Sequence, residues 1–349
     1  MKIFLVLPLT MISFFFCFSS AVHSAEQITN NSPQPISVRP VNPQPVTAIK
    51  ICAVYPHLKD SYWLSINFGM TEQAKQRSIE LKVLEAGGYG NTDEQLRQIE
   101  QCIHWQASAI LVGSVNFEQL NQKLIQVNQK TPIFALVNEI STQNITGRTG
   151  VSWYQMSYKL GEYLVKYHNM QSHQKTAQLA WFPGPKTGGG SSQSTAGLQA
   201  ALADSNIEIV TIQYGLNEKI IQFSLLKNTL EKYSNIDYLA GNAVMAEMAI
   251  SEVAQLSKEQ RPKILSHYLS HGVYRGIKRK KILMANSDQM VLQGRMAINQ
   301  AVDYLQTGAL NVEQAPEIIS IDQNTINKFN AEHSLSPSHF KPTYEVGSN

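Results

Sequence analysis

Residues 50–63 read KICAVYPHLKDSYW, and this stretch decides the fold class. Its first half is a short apolar run without in–out alternation, which predicts a strand buried on both faces of a parallel sheet. The loop after that strand leads into a helix and carries Asp60, Tyr62 and Trp63. Ligands of open α/β sheets bind outside the carboxyl ends of the strands, so these three residues are candidates for a ligand site. The alternative is that the two rings only cover the core.

The same pattern of strands and helices continues along the chain and then begins again. Short apolar runs alternate with amphipathic segments from residue 50 to about 151, and a second series follows from about 152 to 286. A long helix near 288–306 and a strand near 317–321 come after the second series is complete. This order predicts an α/β fold of two Rossmann-like lobes with parallel sheets and an interlobe cleft, which is the default ligand site.

The late helix is expected to return to the first lobe, so that several segments connect the two lobes. At the end of the chain, residues 344–346 could add an edge strand. The predicted divisions are a signal peptide at 1–25, a Pro-rich flexible arm at 26–48, an N-terminal lobe of 49–151 plus about 287–315, a C-terminal lobe of 152–286 plus about 316–325, and a tail at 326–349.

The N-terminus has the features of a secretory signal. Lys2 supplies a positive charge, residues 3–18 form a mostly apolar run, and small residues follow at Ser19, Ala21 and Ala25. The run is shorter than a comfortable transmembrane span of roughly 20 residues, and an uncleaved anchor is the alternative. Cleavage predicts an exported protein without membrane insertion, because no later segment is long and apolar enough to cross a bilayer.

The cleaved chain keeps two cysteines, Cys52 on the first strand and Cys102 on the second helix. Cysteines in an oxidising compartment can pair. With a flavodoxin-like strand order of 2-1-3, the second helix crosses over the first strand and the two sulfurs can meet. Two possibilities stay open at this point, a disulfide or two small buried hydrophobic side chains.

Charge and short motifs argue against several classes of function. The formal net charge is +3, and the one dense basic run, KRKK at 278–281, is interpreted as a solvated helix end. In the glycine-rich loop at 184–192 the Lys-Thr pair precedes the glycines, unlike in a Walker loop. His267 and His271 are four residues apart but lack the Glu of a zincin helix. The sequence therefore predicts no catalytic residue, no metal, no cofactor and no nucleic-acid partner.

Aromatic residues recur in the loops that follow the predicted strands. In addition to Tyr62 and Trp63, they include Tyr89, Trp153 and Tyr268. One such ring is ordinary packing, but several at strand carboxyl ends predict an aromatic-lined pocket. A trimethylated nitrogen suits this pocket, because its charge is diffuse and its methyl groups donate no strong hydrogen bonds. Tyrosine hydroxyls or an indole N–H would hold a polar oxygen on the same guest.

Four motifs, in order along the chain, resemble the TorT family of periplasmic binding proteins. They are YPHLKDSYW at 55–63, LEAGGY at 84–89, YLSHGVYRG at 268–276 and SLSP at 334–337. The similarity extends over nearly the whole mature chain, from about 50 to 346. It implies the type I periplasmic-binding-protein fold, in which three crossings join the two lobes, and a location in the periplasm.

The resemblance also implies a function. Members of the family bind trimethylamine N-oxide in the interlobe cleft and dock onto the periplasmic domain of the sensor histidine kinase TorS. The kinase then triggers two-component signalling that controls the N-oxide respiratory system. The positions that match the family's ligand pocket are Asp60, Tyr62, Trp63, Tyr89 and Trp153. In the second lobe Tyr268 is the expected ligand-binding residue, and Tyr274 in the same motif is a close rival.

Two other functions fit the same sequence. A solute-binding protein that delivers a sugar or a quaternary amine to an ABC transporter has the same fold, compartment and cleft. An exported enzyme can also be built on two such lobes, although nothing in the sequence places an acid pair or a nucleophile around one substrate.

Overall fold

The computed structural model describes residues 48–171, 175–188 and 190–347. The predicted signal peptide at 1–25 and nearly all of the Pro-rich arm at 26–48 lie outside these residues. Within the part of the chain that is described, none of the helices combines the length and the apolar character needed to cross a bilayer.

The first half of the described chain alternates strands and helices in the predicted order. The first strand is buried along almost its whole length, and a helix follows it directly after Asp60. The elements of this half are β1 (Lys50–Tyr55), α1 (Ser61–Gln76), β2 (Glu80–Glu85), α2 (Thr92–His104), β3 (Ala109–Val112), α3 (Asn121–Asn128), β4 (Ile133–Leu136) and β5 (Gly147–Thr149).

The second half repeats this alternation and then adds three short strands. Its elements are α4 (Trp153–Met170), β6 (Ala177–Gly184), α5 (Ser191–Leu202), β7 (Ile207–Tyr214), α6 (Lys219–Lys232), β8 (Tyr238–Gly241), α7 (Ala243–Gln255), β9 (Lys263–Ser266), α8 (His271–Lys278), β10 (Met284–Ser287), α9 (Met290–Thr307), β11 (Glu313–Gln314), β12 (Ile319–Asp322) and β13 (Glu345–Val346).

Two sheets form from these strands. The first has the order β11-β5-β4-β3-β1-β2-β13, and the second has the order β12-β10-β9-β8-β6-β7. Neighbouring strands are parallel, except that β13 is antiparallel to β2 and β12 is antiparallel to β10. The predicted α/β fold with two parallel-sheet lobes is therefore confirmed. We call the first sheet with its helices the first lobe, and the second sheet with its helices the second lobe.

Several segments of the chain connect the lobes. The chain crosses between the two sheets after β5, after β10 and after β11, and it returns to the first sheet once more as β13. Helix α9 packs against α1 of the first lobe at very short range. A Cβ on Gly69 would lie 2.0 Å from the carbonyl oxygen of Val291, so only glycine permits this approach of the two helices.

The C-terminal tail is held on the first lobe. The backbone N–H of Ser336 donates to Ser65 Oγ at 3.0 Å, and the side chain of Asn67 exchanges two hydrogen bonds of 2.9 Å with the backbone of Thr343. The tail ends as β13, in the segment where the sequence predicts an edge strand. Contacts with α1 and β2 therefore order a segment that has little periodicity of its own.

The sequence analysis predicted only the end of helix α8, at the basic run 278–281, and not its start. Ser270 caps it by accepting a hydrogen bond from the backbone N–H of Val273 at 3.0 Å, and Val273 and Ile277 are buried. The helix is short and contains Gly272 and Gly276, which lower its intrinsic helix propensity. Its formation therefore depends on the cap and on burial of its apolar side.

The two cysteines of the described chain form a disulfide. Cys52 lies on β1, Cys102 lies on α2, and both side chains are fully buried. In the observed order β3-β1-β2, helix α2 packs over β1, which brings the two sulfurs together. The bond joins positions separated by 50 residues in the sequence.

Candidate functional site

A cavity lies where the carboxyl ends of the strands of the two lobes face each other. Its empty space is about 480 Å³, part of which is open to solvent. The first lobe contributes Asp60, Tyr62, Trp63, Tyr89 and Asn138 to its wall. The second lobe contributes Trp153, His267, Tyr268, Asn217 and residues of the loop around 183–191. The cavity therefore brings together six of the seven ligand-binding residues that the sequence suggests.

The lobes are in direct contact beside this cavity. The backbone N–H of Phe117 in the first lobe donates to the carbonyl oxygen of Thr187 in the second lobe at 3.2 Å. The backbone N–H of His271 in the second lobe donates to Ser61 Oγ in the first lobe, also at 3.2 Å. The conformation is therefore one in which the lobes meet around the cavity.

Asp60 caps the start of α1 and also places a carboxylate on the cavity wall. As the N-cap residue it accepts a hydrogen bond from the backbone N–H of Trp63 at 3.0 Å, which satisfies a free N–H of the first helical turn. Its other oxygen lies 3.9 Å from His57 Nε2, and its side chain is 26% exposed. Among the described lining residues Asp60 is the one with a carboxylate, so the negative charge of the cavity lies on this wall.

Trp63 is part of both the core and the cavity wall. It is 1% exposed, and its ring stacks on Tyr55 with a centroid distance of 5.3 Å. Its indole Nε1–H donates to the hydroxyl of Tyr89 at 3.2 Å. Gly113 leaves room for the ring, since a Cβ there would lie 2.4 Å from Trp63 Cη2. The alternative that this ring covers the core is therefore correct for most of its surface.

Tyr89 presents a hydroxyl that has already accepted two hydrogen bonds. The donors are Trp63 Nε1 and Asn138 Nδ2, the latter at 3.4 Å. Burial raises the pKa of Tyr89 to about 12, so the hydroxyl keeps its proton at neutral pH. That proton is free to be donated to an acceptor in the cavity.

Tyr62 offers the cavity its ring and not its hydroxyl. The hydroxyl donates to the buried carboxyl of Asp288, which also accepts from Gln293 Nε2 at 2.6 Å. Burial raises the pKa of both Tyr62 and Asp288, and the charge of Asp288 adds to the shift of Tyr62. The ring of Tyr62 lies 5.1 Å from the ring of Tyr268 and 6.4 Å from that of Trp153, measured between centroids.

Trp153 begins α4 and has an unused hydrogen-bond donor. Its Nε1 is buried, and within the described residues it has no hydrogen-bond partner. Gly190 lies against the ring, where a Cβ would be 2.5 Å from Trp153 Cδ1. A buried N–H without a partner is unfavourable, so an acceptor that reached this donor would offset the cost of its burial.

Tyr268 and His267 follow β9 and complete the second-lobe wall. Burial raises the pKa of Tyr268 well above its ordinary value, and its ring lies 6.0 Å from that of Trp153. Burial also lowers the pKa of His267 to about 3, so its imidazole is neutral at physiological pH. His267 Nδ1 lies 3.3 Å from Ser157 Oγ, whereas Nε2 is buried without a partner in the described residues.

Tyr274, the rival choice in this motif, is not among the residues that line the cavity. It lies on α8, where its ring is 6.2 Å from that of Phe329 and 4.6 Å from the Nζ of Lys278. Because α8 begins at His271, Tyr274 is carried along the helix, away from the strand end where Tyr268 stands.

The sequence missed five polar residues of the wall. Ser191 and Ser194 lie at the start of α5. Asn138, Asn217 and His267 all follow strands closely, and the carboxyl end of a strand was the one signal available for them. His267 was considered only as a metal ligand. Within the described residues, the structure contains no group of three or more His, Cys, Asp or Glu side chains that could hold a metal ion.

The chemistry of the cavity is that of a box for a small cation with an acceptor oxygen. The rings of Tyr62, Trp153 and Tyr268 line it and pack on one another at tilted or edge-to-face angles, and aromatic rings attract positive charge through their faces. Asp60 adds a negative charge, and no Lys or Arg is among the described lining residues. The indole N–H of Trp153 and the hydroxyl of Tyr89 are donors for a polar oxygen.

Comparisons with known proteins point to one family. Residues 48–338 match the family described as periplasmic binding proteins and the sugar binding domain of the LacI family. The periplasmic protein TorT of Escherichia coli (strain K12) is 40% identical over 324 residues, which are 92% of this chain and 90% of the relative.

Solved structures agree with this similarity. TorT has been solved in complex with the TorS sensor domain, once without ligand and once with TMAO. In both structures TorT is 39% identical to this chain with a TM-score of 0.76, and the match covers 85% of this chain and 99% of TorT. A solute binding protein of an ABC transporter from Bradyrhizobium sp. BTAi1, with bound bis-tris, is 34% identical with a TM-score of 0.73, over 87% of this chain and 92% of that protein.

Proposed function

We propose a sensing function for this chain, which belongs to the TorT family of periplasmic binding proteins. It is a periplasmic protein that binds trimethylamine N-oxide in the cleft between its lobes. Together with the periplasmic domain of a TorS-like sensor histidine kinase, it triggers the two-component signalling that controls the N-oxide respiratory system. It acts by binding and signalling, and not as an enzyme.

One observation carries the ligand assignment, namely the aromatic box. The rings of Tyr62, Trp153 and Tyr268 line the cavity and pack on one another, with centroid distances between 5.1 and 6.4 Å. Trimethylamine N-oxide has a positive nitrogen wrapped in methyl groups, which suits a cavity lined by aromatic rings. Cation–π contacts of about 0.5–2 kcal/mol each would supply about 1.5–6 kcal/mol of the roughly 8 kcal/mol that micromolar binding needs, so hydrogen bonds to the oxygen must add the rest.

The oxygen of the N-oxide needs donors, and the site has two. Trp153 Nε1 is a buried donor whose desolvation cost a guest oxygen would offset. The hydroxyl of Tyr89 is fixed by Trp63 and Asn138, with its own proton left to donate. Asp60 lies on the same wall and faces the positive end of the guest.

Signalling requires that the ligand distinguish between two states of the protein or of its complex. The proposed ligand-binding residues come from both lobes, so the guest stabilises the arrangement in which the lobes meet. We place the lobe boundaries at 49–151 plus about 287–315 and at 152–286 plus about 316–325. The presence of β11 in the first sheet and of β12 in the second supports this division.

The test is isothermal titration of the purified mature protein with trimethylamine N-oxide, with and without the sensor's periplasmic domain. We expect saturable binding, with an affinity that the sensor domain changes. Trimethylamine, which lacks the oxygen, serves as the matched ligand and is expected to bind at least about tenfold more weakly, because it cannot accept from Trp153 or Tyr89. Absence of binding to the N-oxide under both conditions would refute the assignment.

A transport function is the second candidate, and one relative favours it. The Bradyrhizobium protein is an ABC transporter solute binding protein whose structure holds bis-tris, a hydroxylated tertiary amine. A solute-binding protein for a quaternary amine or a sugar would use the same cleft. Deletion of the gene separates the two functions: loss of uptake of the solute indicates transport, and loss of the response to the N-oxide indicates sensing.

A further inference from the structure

Helix α6 exposes a cluster of apolar side chains at its start. Ile220 is 82% exposed, Ile221 is 37% exposed and Phe223 is 39% exposed. In the described residues, the other large apolar side chains with comparable exposure are Met170 and Tyr344, and each lies elsewhere in the fold. We call Ile220, Ile221 and Phe223 the α6 patch.

The fold does not require the α6 patch to be apolar. The inward side of α6 is formed by other residues, of which Gln222, Leu226 and Thr229 are buried. A surface helix normally has polar residues opposite its buried side, whereas a helix that is apolar on both sides has something to cover the second one. The α6 patch therefore indicates a binding partner.

The α6 patch is tied firmly to the wall of the ligand cavity. Gln222 Nε2 donates to the carbonyl oxygens of Gly215 and Leu216 at 3.2 and 2.9 Å, and Gln222 Oε1 accepts from Asn242 Nδ2 at 3.0 Å. Asn217, the next residue of that loop, lines the cavity. A shift of this part of the wall would therefore move the start of α6 with it.

The same end of α6 also lies beside the first lobe. A carboxylate oxygen of Glu218 is 4.0 Å from the position that a Cβ on Gly88 would take. Gly88 directly precedes Tyr89 of the cavity wall. The patch thus stands at the rim where the two lobes meet, and a partner bound there would sense their relative position.

We propose that the α6 patch is the surface that binds the periplasmic domain of the sensor kinase, through an apolar surface on that domain. This inference rests on the proposed function. TorT, which is 39% identical, forms a complex with the TorS sensor domain both without ligand and with TMAO. A partner that stays bound in both states keeps its contact surface covered, which accounts for apolar residues that the isolated chain leaves in solvent.

The test is a double variant, Ile220→Asp with Phe223→Asp, compared with the wild-type mature protein. Both side chains are exposed, so the fold is retained, and neither lines the cavity. We expect the affinity for the sensor domain to fall at least about tenfold, while the affinity for trimethylamine N-oxide, measured without the sensor, stays within about twofold. Met170→Asp is the matched control, since Met170 is 65% exposed at the far end of α4, and it is expected to change neither affinity.

Three outcomes would overturn the proposal. If the double variant binds the sensor domain like the wild type, the α6 patch is not the docking surface, although the proposed function stands. If the wild type dimerises, the variant is monomeric and both bind the sensor equally, the patch serves a second copy of the chain. If the wild type binds neither the N-oxide nor the sensor domain, the proposed function itself fails, and the docking assignment fails with it.

Discussion

The two walls of the cavity differ in how their polar atoms are used. In the first lobe, Trp63 donates to Tyr89, Asn138 donates to the same hydroxyl, and Tyr62 donates to Asp288. In the second lobe, Trp153 Nε1, His267 Nε2 and Asn217 Oδ1 are buried without partners in the described residues. The donors of the first wall are thus engaged in its own hydrogen bonds, although in the described residues Asp288 Oδ1 and Gln293 Oε1 behind Tyr62 are buried without partners. The second wall differs in having a buried donor without a partner, Trp153 Nε1.

We therefore expect the shape of the cavity and the binding energy to come mainly from different lobes. A network whose donors are already engaged contributes pre-organisation, because ligand binding does not have to order it. Unpaired buried groups contribute affinity, because the guest removes their desolvation cost. The second wall should therefore be the more sensitive to substitutions that are measured through binding.

The largest expected effect is that of Trp153→Ala on affinity. The substitution removes a ring face and the unpaired N–H together, so affinity for trimethylamine N-oxide should fall about 100-fold in calorimetry. Trp153→Phe, which keeps a ring, should lose only about tenfold. If Trp153→Ala retained an affinity within about threefold of wild type, the second wall would not be the binding wall.

The next effect is the dependence of the free energy of unfolding on pH, which we expect His267 to cause. The pKa of His267 is about 3 in the folded protein, against about 6.5 for an exposed histidine, so the unfolded chain takes up a proton that the folded protein excludes. The free energy of unfolding should therefore fall by about 1.4 kcal/mol for each pH unit below about 6.5, down to about pH 3. Urea unfolding at several pH values measures this fall in the free energy of unfolding.

The control for this prediction is His267→Gln, which does not titrate. The other histidines contribute equally to both proteins, so the difference between the two pH profiles isolates His267. Parallel profiles would mean that the imidazole of the second wall is not held in its neutral form.

A smaller effect is expected for Tyr62→Phe in the first wall. The ring remains, but Asp288 loses a donor and stays buried, so the free energy of unfolding should fall by about 1–2 kcal/mol. Affinity for the N-oxide should change by less than about threefold, since the hydroxyl is bonded to Asp288 and not to the guest. A large loss of affinity without a loss of stability would reverse the roles assigned to the two walls.

The smallest effect is expected for Tyr274→Ala. This residue packs on Phe329, outside the cavity, so affinity for the N-oxide should stay within about twofold of wild type in calorimetry. Tyr268→Ala is the matched comparison in the same motif and should weaken binding clearly. Equal losses in the two variants would contradict the placement of Tyr274.

Much of the fold could be predicted because its signals are local. The apolar run at 50–55 and its successors gave the strands of two parallel sheets, and the strand order 2-1-3 was enough to bring Cys52 near Cys102. The start of helix α8 was not predicted, because the helix depends on its cap and on its buried side and not on a high helix propensity. That omission also explains the choice of Tyr274, since its position depends on where α8 begins.

The site could be predicted in part for a related reason. Large rings at strand ends are visible in a sequence, so Tyr62, Trp63, Tyr89, Trp153 and Tyr268 were identified. Asn138, Asn217 and His267 are common residue types, and nothing in the sequence shows that their polar atoms lack partners. The sequence also does not show that Trp63 belongs to both the core and the cavity wall, because its stacking on Tyr55 is a tertiary contact. Trp153 is therefore a cleaner first substitution than Trp63.

The path of the tail has a consequence for the order of assembly. The second sheet is complete once residue 322 has been added, whereas the first sheet takes its outer strands from Glu313–Gln314 and Glu345–Val346. A chain that is exported from its N-terminus therefore begins the first lobe earliest and finishes it last. Until the final residues arrive, one edge of β2 has unpaired backbone groups, which are a template for unwanted pairing.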